Sequence, residues 1–516
     1  VRAVLGASVL LIASVARADD PTQERAPAAS EESATTSHWP AAQEQDPAVD
    51  ATGMVVSPAE PEIAPPDEPL LVTVEGDKAP AGASSLGRRE IREMPGVLGD
   101  PYRAIEVEPG VTPLASGVPF YFIRGAPPGN IGYFFDGISI PMLFHAGAGP
   151  GIIPPSLVSR VELHMGPYPA RFGRLAGAIV DAEAAPDRVG GARSAPGESD
   201  LRAEGVFRTV DLGGLIEGPL PAGAGSFLAG GHYSVGTAIL SALVPSIDIE
   251  YGDYQARTVF KTGTDSKLSV LAFGSYDYLA TVDGEVRDVL IDSDFHRLDL
   301  RYEEQLRGGG SVRASTTLGL DRSRGIGVES ATNLKLLSRA TILRPLSERL
   351  LLRAGLDLAL DGYDVVHGGV QDCTTFVCSG GLLGASTEAE LAEAFQVLFP
   401  SRVDLALGGF VDALIVLGDR ATITPGLRVD YLHSRGQSDV AVDPKLVGRF
   451  GVTDAFRLVP AVGLASQLPG FPPLPGLQIG GSREGSSGRC RRASARRVRP
   501  GPSTFGGACS VRRRST

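Results

Sequence analysis

The sequence predicts a membrane β-barrel of antiparallel strands preceded by a smaller α+β domain. Three observations lead there. Long segments in the second half alternate apolar and polar residues with period two. No stretch approaches the ~20 consecutive apolar residues that a membrane helix needs. Turn signals and short apolar runs crowd together between Phe122 and Val180. The composition agrees. Across 516 residues the hydrophobic share is 43% and the formal charge −12, with a mean hydropathy of +0.05. That is too polar for a helical membrane protein and suits strands with one wet face. The acidic balance argues against a nucleic-acid partner.

Taken in order, residues 1–18 read as a signal peptide. Arg2 supplies the positive charge, Ala3 to Ala16 the apolar stretch, and Ala16-Arg17-Ala18 a small-residue cleavage site. Residues 19–68 are rich in Ala, Pro, Glu, Gln and Ser and are expected to be a disordered linker. At 69–76 the run LLVTVEG has high β-propensity, with Leu71, Val72, Thr73 and Val74 at its centre.

Residues 77–189 form the α+β domain. Ile131 to Ile140 reads as a strand broken by Asp136-Gly137, a strong two-residue hairpin signal. Leu157 to Met165 alternates Val158, Val161 and Leu163 against Ser159, Arg160 and Glu162, as a half-buried strand would. Gly166-Pro167 forces a turn, and Gly173, Gly177 and the apolar run after them suggest another close-packed strand.

The run FIRGAPPGNIGYFFDGISIP followed by SLVSRVELHMGPYPARFGRLAGAIV resembles the plug domain of TonB-dependent outer-membrane receptors. The segment Arg89 to Val111 is similar to the opening of that plug. The resemblance implies that the domain sits inside the lumen of the barrel. It implies that Arg124, Gly125, Asp136 and Gly137 are plug structure, along with Gly166, Pro167, Gly173 and Gly177. Arg160, Glu162 and Arg171 would form charge pairs that hold the plug in the barrel wall, against ordinary solvated strand ends as the other reading. Leu71 to Val74 would be the TonB box, an extended segment that adds to the sheet of the periplasmic coupling protein TonB.

Residues 199–468 supply the barrel strands. In Arg349 to Tyr363 the face Leu350, Leu352, Ala354, Leu356, Leu358, Leu360 opposes Arg353, Asp357 and Asp361. Around 311–321, Val312, Ala314, Leu318 and Leu320 oppose Arg313 and Asp321. In 296–303, Leu298, Leu300 and Tyr302 oppose Arg297, Asp299 and Arg301. Val403, Leu405, Leu407, Val411, Ile415 and Leu417 share one side of a further strand. The apolar sides would meet lipid and the others a wet lumen. Short links near Gly263, Gly308, Pro345, Gly418 and Asp454 alternate with longer ones expected at 240–250, 281–294, 364–400 and 433–442. Short periplasmic turns and long outer loops give that alternation. Cys373 and Cys378, in the long outer link, would form a local disulfide.

From 481 to 516 the alternation stops and Arg-rich sequence takes over. This tail reads as a shifted reading frame, with a basic lipid- or nucleic-acid-binding tail as the other reading. The resemblance implies about 22 strands, whereas alternation supplies roughly a dozen, so a partial barrel is expected. No nucleophile–base pair, metal-ligand spacing or phosphate loop is visible, so neither enzyme activity nor a cofactor is expected. The functional expectation is energised uptake of a scarce nutrient, such as an iron chelate, cobalamin or an oligosaccharide, with TonB, outer-membrane lipid and the nutrient as partners. The alternatives are a non-transporting surface or assembly protein and a nonfunctional receptor fragment.

Overall fold

Two sheets, one wrapped against the other, account for nearly all the secondary structure in the computed structural model. It describes residues 83–185 (without 98–99, 116–117 and 146–148), 201–367 (without 209–210, 236–243, 285 and 326–327), 399–467 (without 454–455) and 491–497. The signal peptide, the linker, Leu71 to Val74, Cys373, Cys378 and most of the Arg-rich tail lie outside the described residues.

The inner domain begins with β1 (Ala83–Gly87) and a short helix α1 (Arg88–Glu93). A small hairpin follows, β2 (Val111–Ala115) with β3 (Val118–Ile123). Next come β4 (Gly132–Phe135), β5 (Ile138–Ser139), β6 (Val158–His164) and β7 (Ile179–Ala184). The main inner sheet runs β1-β6-β7-β4-β5, with β4 and β7 parallel and its other pairs antiparallel. Asp136 and Gly137 sit at φ 52° and 80°, which makes the link between β4 and β5 the tight turn that the Asp-Gly pair favours. β6 departs from the sequence reading. Its register shifts between Val158 and Arg160, and Glu162 and His164 are as buried as Val161 and Leu163. The strand is therefore covered on both faces rather than half-buried.

The outer sheet has fifteen antiparallel strands. In chain order they are β8 (Arg202–Phe207), β9 (Leu212–Pro219), β10 (Gly225–Tyr233), β11 (Ile247–Lys261), β12 (Ser266–Asp283), β13 (Val286–Gln305) and β14 (Ser311–Gly325). They continue with β15 (Val328–Ser347), β16 (Leu350–Val366), β17 (Arg402–Gly418), β18 (Ala421–Ser434) and β19 (Gln437–Gly451), then β20 (Arg457–Leu458), β21 (Ala461–Gln467) and β22 (Arg491–Arg497). Each pairs with its chain neighbour from β8 to β19, and β21 continues from β19 with β22 beyond it. β8 and β22 form the two edges, and the described sheet does not close on itself. β22 lies inside the tail that was expected to carry no barrel strand.

The alternation of the sequence is the alternation of the sheet. Leu298, Leu318 and Leu336 stand cross-strand from one another, and Leu298 and Leu318 are exposed on the outer face, as are Leu356, Leu407 and Val411. The opposite face differs from the expected wet lumen. Arg297, Asp299, Arg301, Asp321 and Asp357 are buried, because the inner domain fills the space in front of them. Strand lengths also differ from the ~9–11 residues a tilted membrane strand requires. β12 has 18 residues, and β13 and β15 have 20 each. Two links expected to be long, 281–294 and 433–442, are taken up by these extended strands. β12 and β13 meet across Gly284 and residue 285, and β18 and β19 meet across Arg435 and Gly436, at φ 51° and 72°. Of the longer links, those after β10 and β16 remain long.

Candidate functional site at the interface of the inner domain and the sheet

The described residues that could do work lie where the inner domain meets the outer sheet. The contact has an apolar part. Phe135 packs edge-on against Phe273 of β12, with ring centres 5.7 Å apart, and Leu228, Leu271 and Phe295 join the inner domain's own core. The rest is polar, and much of it has sheet side chains capping main-chain carbonyls of the inner domain. Gln255 donates to the Ile152 carbonyl at 2.9 Å and Arg257 to that of Ala185 at 2.9 Å. Lys445 donates to that of Phe172 at 3.1 Å, and Gln467 to that of Gly129 at 3.0 Å. Each such bond exchanges for water at a net cost of about 1 kcal/mol, so the contact is specific without being an unbroken apolar seam.

Ion pairs fasten the interface at separate points. At the β4–β5 turn, Arg301 of β13 grips Asp136 through both its carboxylate and its main-chain carbonyl. Burial works against the Asp136 carboxylate, yet the Arg301 guanidinium holds it below its ordinary range. In the segment between β6 and β7, Arg174 reaches Asp357 of β16 and, at 3.1 Å, Asp430 of β18. Arg428 completes that cluster with both carboxylates, at 2.9 Å and 2.7 Å. A methyl group on Gly173 would stand 2.0 Å from the Arg428 Nε, so a side chain there would have to displace the Arg428 guanidinium. Beside it, the Lys445 Nζ lies over the Tyr168 ring, 3.7 Å from its centre. In the loop between β5 and β6, His145 stands between Asp253 and Asp277.

The residues singled out in the sequence fall partly elsewhere. Glu162 pairs with Arg160 and Arg171, each at 3.4 Å, and Arg160 also reaches Glu183 at 2.9 Å. These pairs are internal to the inner domain: they brace β6 and β7 and the segment after β6 rather than tying the domain to the sheet. Despite burial, His164 and the two arginines keep the Glu162 carboxyl low. Burial pushes the neighbouring Asp181 up and holds His164 below its ordinary value. Arg124 and Gly125 form a positive-φ pair closed by the Ala126 amide donating to Ile123 at 3.0 Å, and the Arg124 side chain donates to the Met165 carbonyl at 3.0 Å. Gly166 has φ 145° ahead of Pro167. A methyl on Gly177 would meet the Asn130 carbonyl at 2.6 Å. The sheet anchors His145 and Arg174 were missed as such because their partners lie far along the chain. Among the described residues no group of His, Cys, Asp and Glu has metal-binding geometry, and no helix is long and apolar enough to cross a membrane.

Comparison with known proteins matches this arrangement. Residues 76–180 fit the family model of the TonB-dependent receptor plug domain, and that part of the chain is such a plug. The plug and its large antiparallel sheet have the fold of TonB-dependent receptors. The siderophore receptor PirA of Pseudomonas aeruginosa is similar at 17% identity and a TM-score of 0.52, over 76% of this chain and 66% of that one. An enterobactin-bound variant of the ferric enterobactin receptor PfeA of Pseudomonas aeruginosa has 16% identity and a TM-score of 0.54, over 76% and 63%. The FrpB iron transporter of Neisseria meningitidis has 14% identity and a TM-score of 0.53, over 76% and 65%. The chain thus spans less than two thirds of the length of each of these receptors. No curated protein matches it.

Proposed function

We propose that this protein is a TonB-dependent receptor of the outer membrane that takes up a scarce nutrient past a movable plug. The observation that carries the reading is the interface itself. A plug is seated against a sheet with an apolar outer face by side-chain hydrogen bonds and ion pairs, many of them to its main chain. Such a seat holds position at rest and yields to a directed pull, because each bond has a replacement in water. The similar solved structures include a siderophore receptor, a ferric enterobactin receptor, an iron transporter and a copper transporter, and an iron chelate is the first class to test here, with cobalamin and oligosaccharides after it.

Leu71 to Val74 are the proposed contact for TonB. They precede β1, which lies at the edge of the inner sheet and pairs with β6 alone. A force applied there would reach the plug through one strand pair. An extended TonB box binds by main-chain pairing, so Val72→Pro removes a donor and bends the strand. Crosslinking from this segment to the periplasmic domain of TonB should be lost in Val72→Pro while the outer-membrane level stays normal. Undiminished crosslinking would remove the assignment. A chain that never crosslinks in either form would favour the non-transporting surface protein.

A further inference from the structure

His145 lies in the loop that joins β5 to β6. Its amide donates to the Pro150 carbonyl at 2.9 Å, its carbonyl accepts from Gly149 at 2.7 Å, and Phe144 bridges to Gly151. The imidazole is buried, as are Asp253 and Asp277. Nε2 lies 3.0 Å from Asp253 of β11, and Nδ1 lies 3.1 Å from Asp277 of β12. An imidazole with a carboxylate at each nitrogen can donate to both only when doubly protonated. The neutral ring would turn a lone pair toward one carboxylate. From β11, Gln255 donates to Asp253 at 2.7 Å and Tyr251 stacks on the imidazole at 4.4 Å. From β12, Ser275 donates to Asp277 at 2.8 Å. From β10, His232 meets Asp253 at 3.2 Å. Tyr251 in turn donates to Asp211 at 3.3 Å, which pairs with Arg208. On the plug side, Arg103 holds the loop through the Gly149 carbonyl at 2.7 Å.

We propose that His145 is an electrostatic pin: charged, it fastens the loop between β5 and β6 to β11 and β12, and neutralised, it frees that loop while the plug core stays seated. His145 is a positioning residue in this scheme and touches no cargo. The pin is a property of the interface, and only its use during uptake rests on the transport reading. Burial opposes the charge, but Asp277 and Asp253 raise His145 from an ordinary value of 6.5 to about 9. A raised basic group contributes fully below its unfolded value, and the contribution is lost as the pH rises through the folded value. The pin therefore holds at neutral pH and opens through about pH 9.

The test uses the full chain in detergent with isotope-labelled histidine, read by nitrogen NMR. One of the seven histidines should stay doubly protonated to about pH 9, vanish in His145→Gln, and lose its proton at lower pH in Asp277→Asn. Amide exchange provides the second readout. At neutral pH, His145→Gln should lose at least about tenfold protection in the peptide spanning Met142 to Ile152 but keep protection in Val158 to His164. If the glutamine variant loses protection in both peptides, Asp277→Asn must still loosen the loop alone. An imidazole that titrates at its ordinary pH, or a loop equally protected in both variants, overturns the proposal. Neither readout involves TonB or cargo, so a failed uptake assay leaves the pin standing, and a failed pin leaves uptake standing.

Discussion

Asp100 shows how one buried group sets a balance in the plug. Its carboxylate accepts from the amides of Tyr102 and Arg103 at 2.8 Å and 2.9 Å, capping the turn into the 103–107 segment. Burial nevertheless pushes it up to about 6, so the charged form is the costly one. For an acid raised in the folded state, stability falls as the pH rises from the unfolded value through the folded one. Asp100→Asn keeps an acceptor for both amides and removes the buried charge. It should therefore stabilise the plug by about 1–2 kcal/mol at neutral pH and by nothing in acid, below the ordinary aspartate range. Urea midpoints at the two pH values check this; a variant less stable at neutral pH would show that Arg103 already offsets the burial. The same scale explains what the sequence hid. The partners of His145 and Arg174 lie 132 and 183 positions along the chain. No local pattern announces such pairs. Arg160, Glu162 and Arg171 were visible because they are close in sequence, and that closeness is why they brace the plug from within.

Among the elements, the β4–β5 hairpin joins local chemistry to anchoring. Its Asp-Gly turn was legible because positive φ at consecutive positions suits few residue pairs. The turn also presents Asp136 to Arg301. A β-branched residue at φ 80° is strained, so Gly137→Val should cost about 1–2 kcal/mol and loosen the Asp136 contact, whereas Gly137→Asn should be tolerated. Chemical denaturation of both variants decides; equal stability would mean that the turn can take another form. The β18–β19 turn escaped notice because Arg435 is an unusual residue at positive φ. The segment 281–294, expected as a long link, is mostly strand, and Arg287 pairs there with Asp248 at 2.7 Å across the sheet. Charged residues there decorate strands that run beyond the width a membrane requires.

For the whole molecule, period-two alternation was enough to identify the outer sheet, and it named the correct outward residues in β13, β14, β16 and β17. It could not show what lay behind them. Alternation records only that one face is polar, and a face packed on a plug is polar for the same reason as a face wetted by a channel. Burial of Arg297, Asp299 and Asp357 distinguishes the two, and it comes from the plug rather than from the strands. On this reading the sheet has lipid on one side and the plug on the other. Nitroxide labels placed singly at Leu318, Leu356 and Leu407, in the full chain reconstituted in bilayers, test this most directly. All three should collide readily with oxygen dissolved in the lipid and be shielded from a water-soluble nickel chelate. Ready collision of these outward positions with the chelate would contradict a membrane-facing sheet, and with it the reading of the inner domain as a plug.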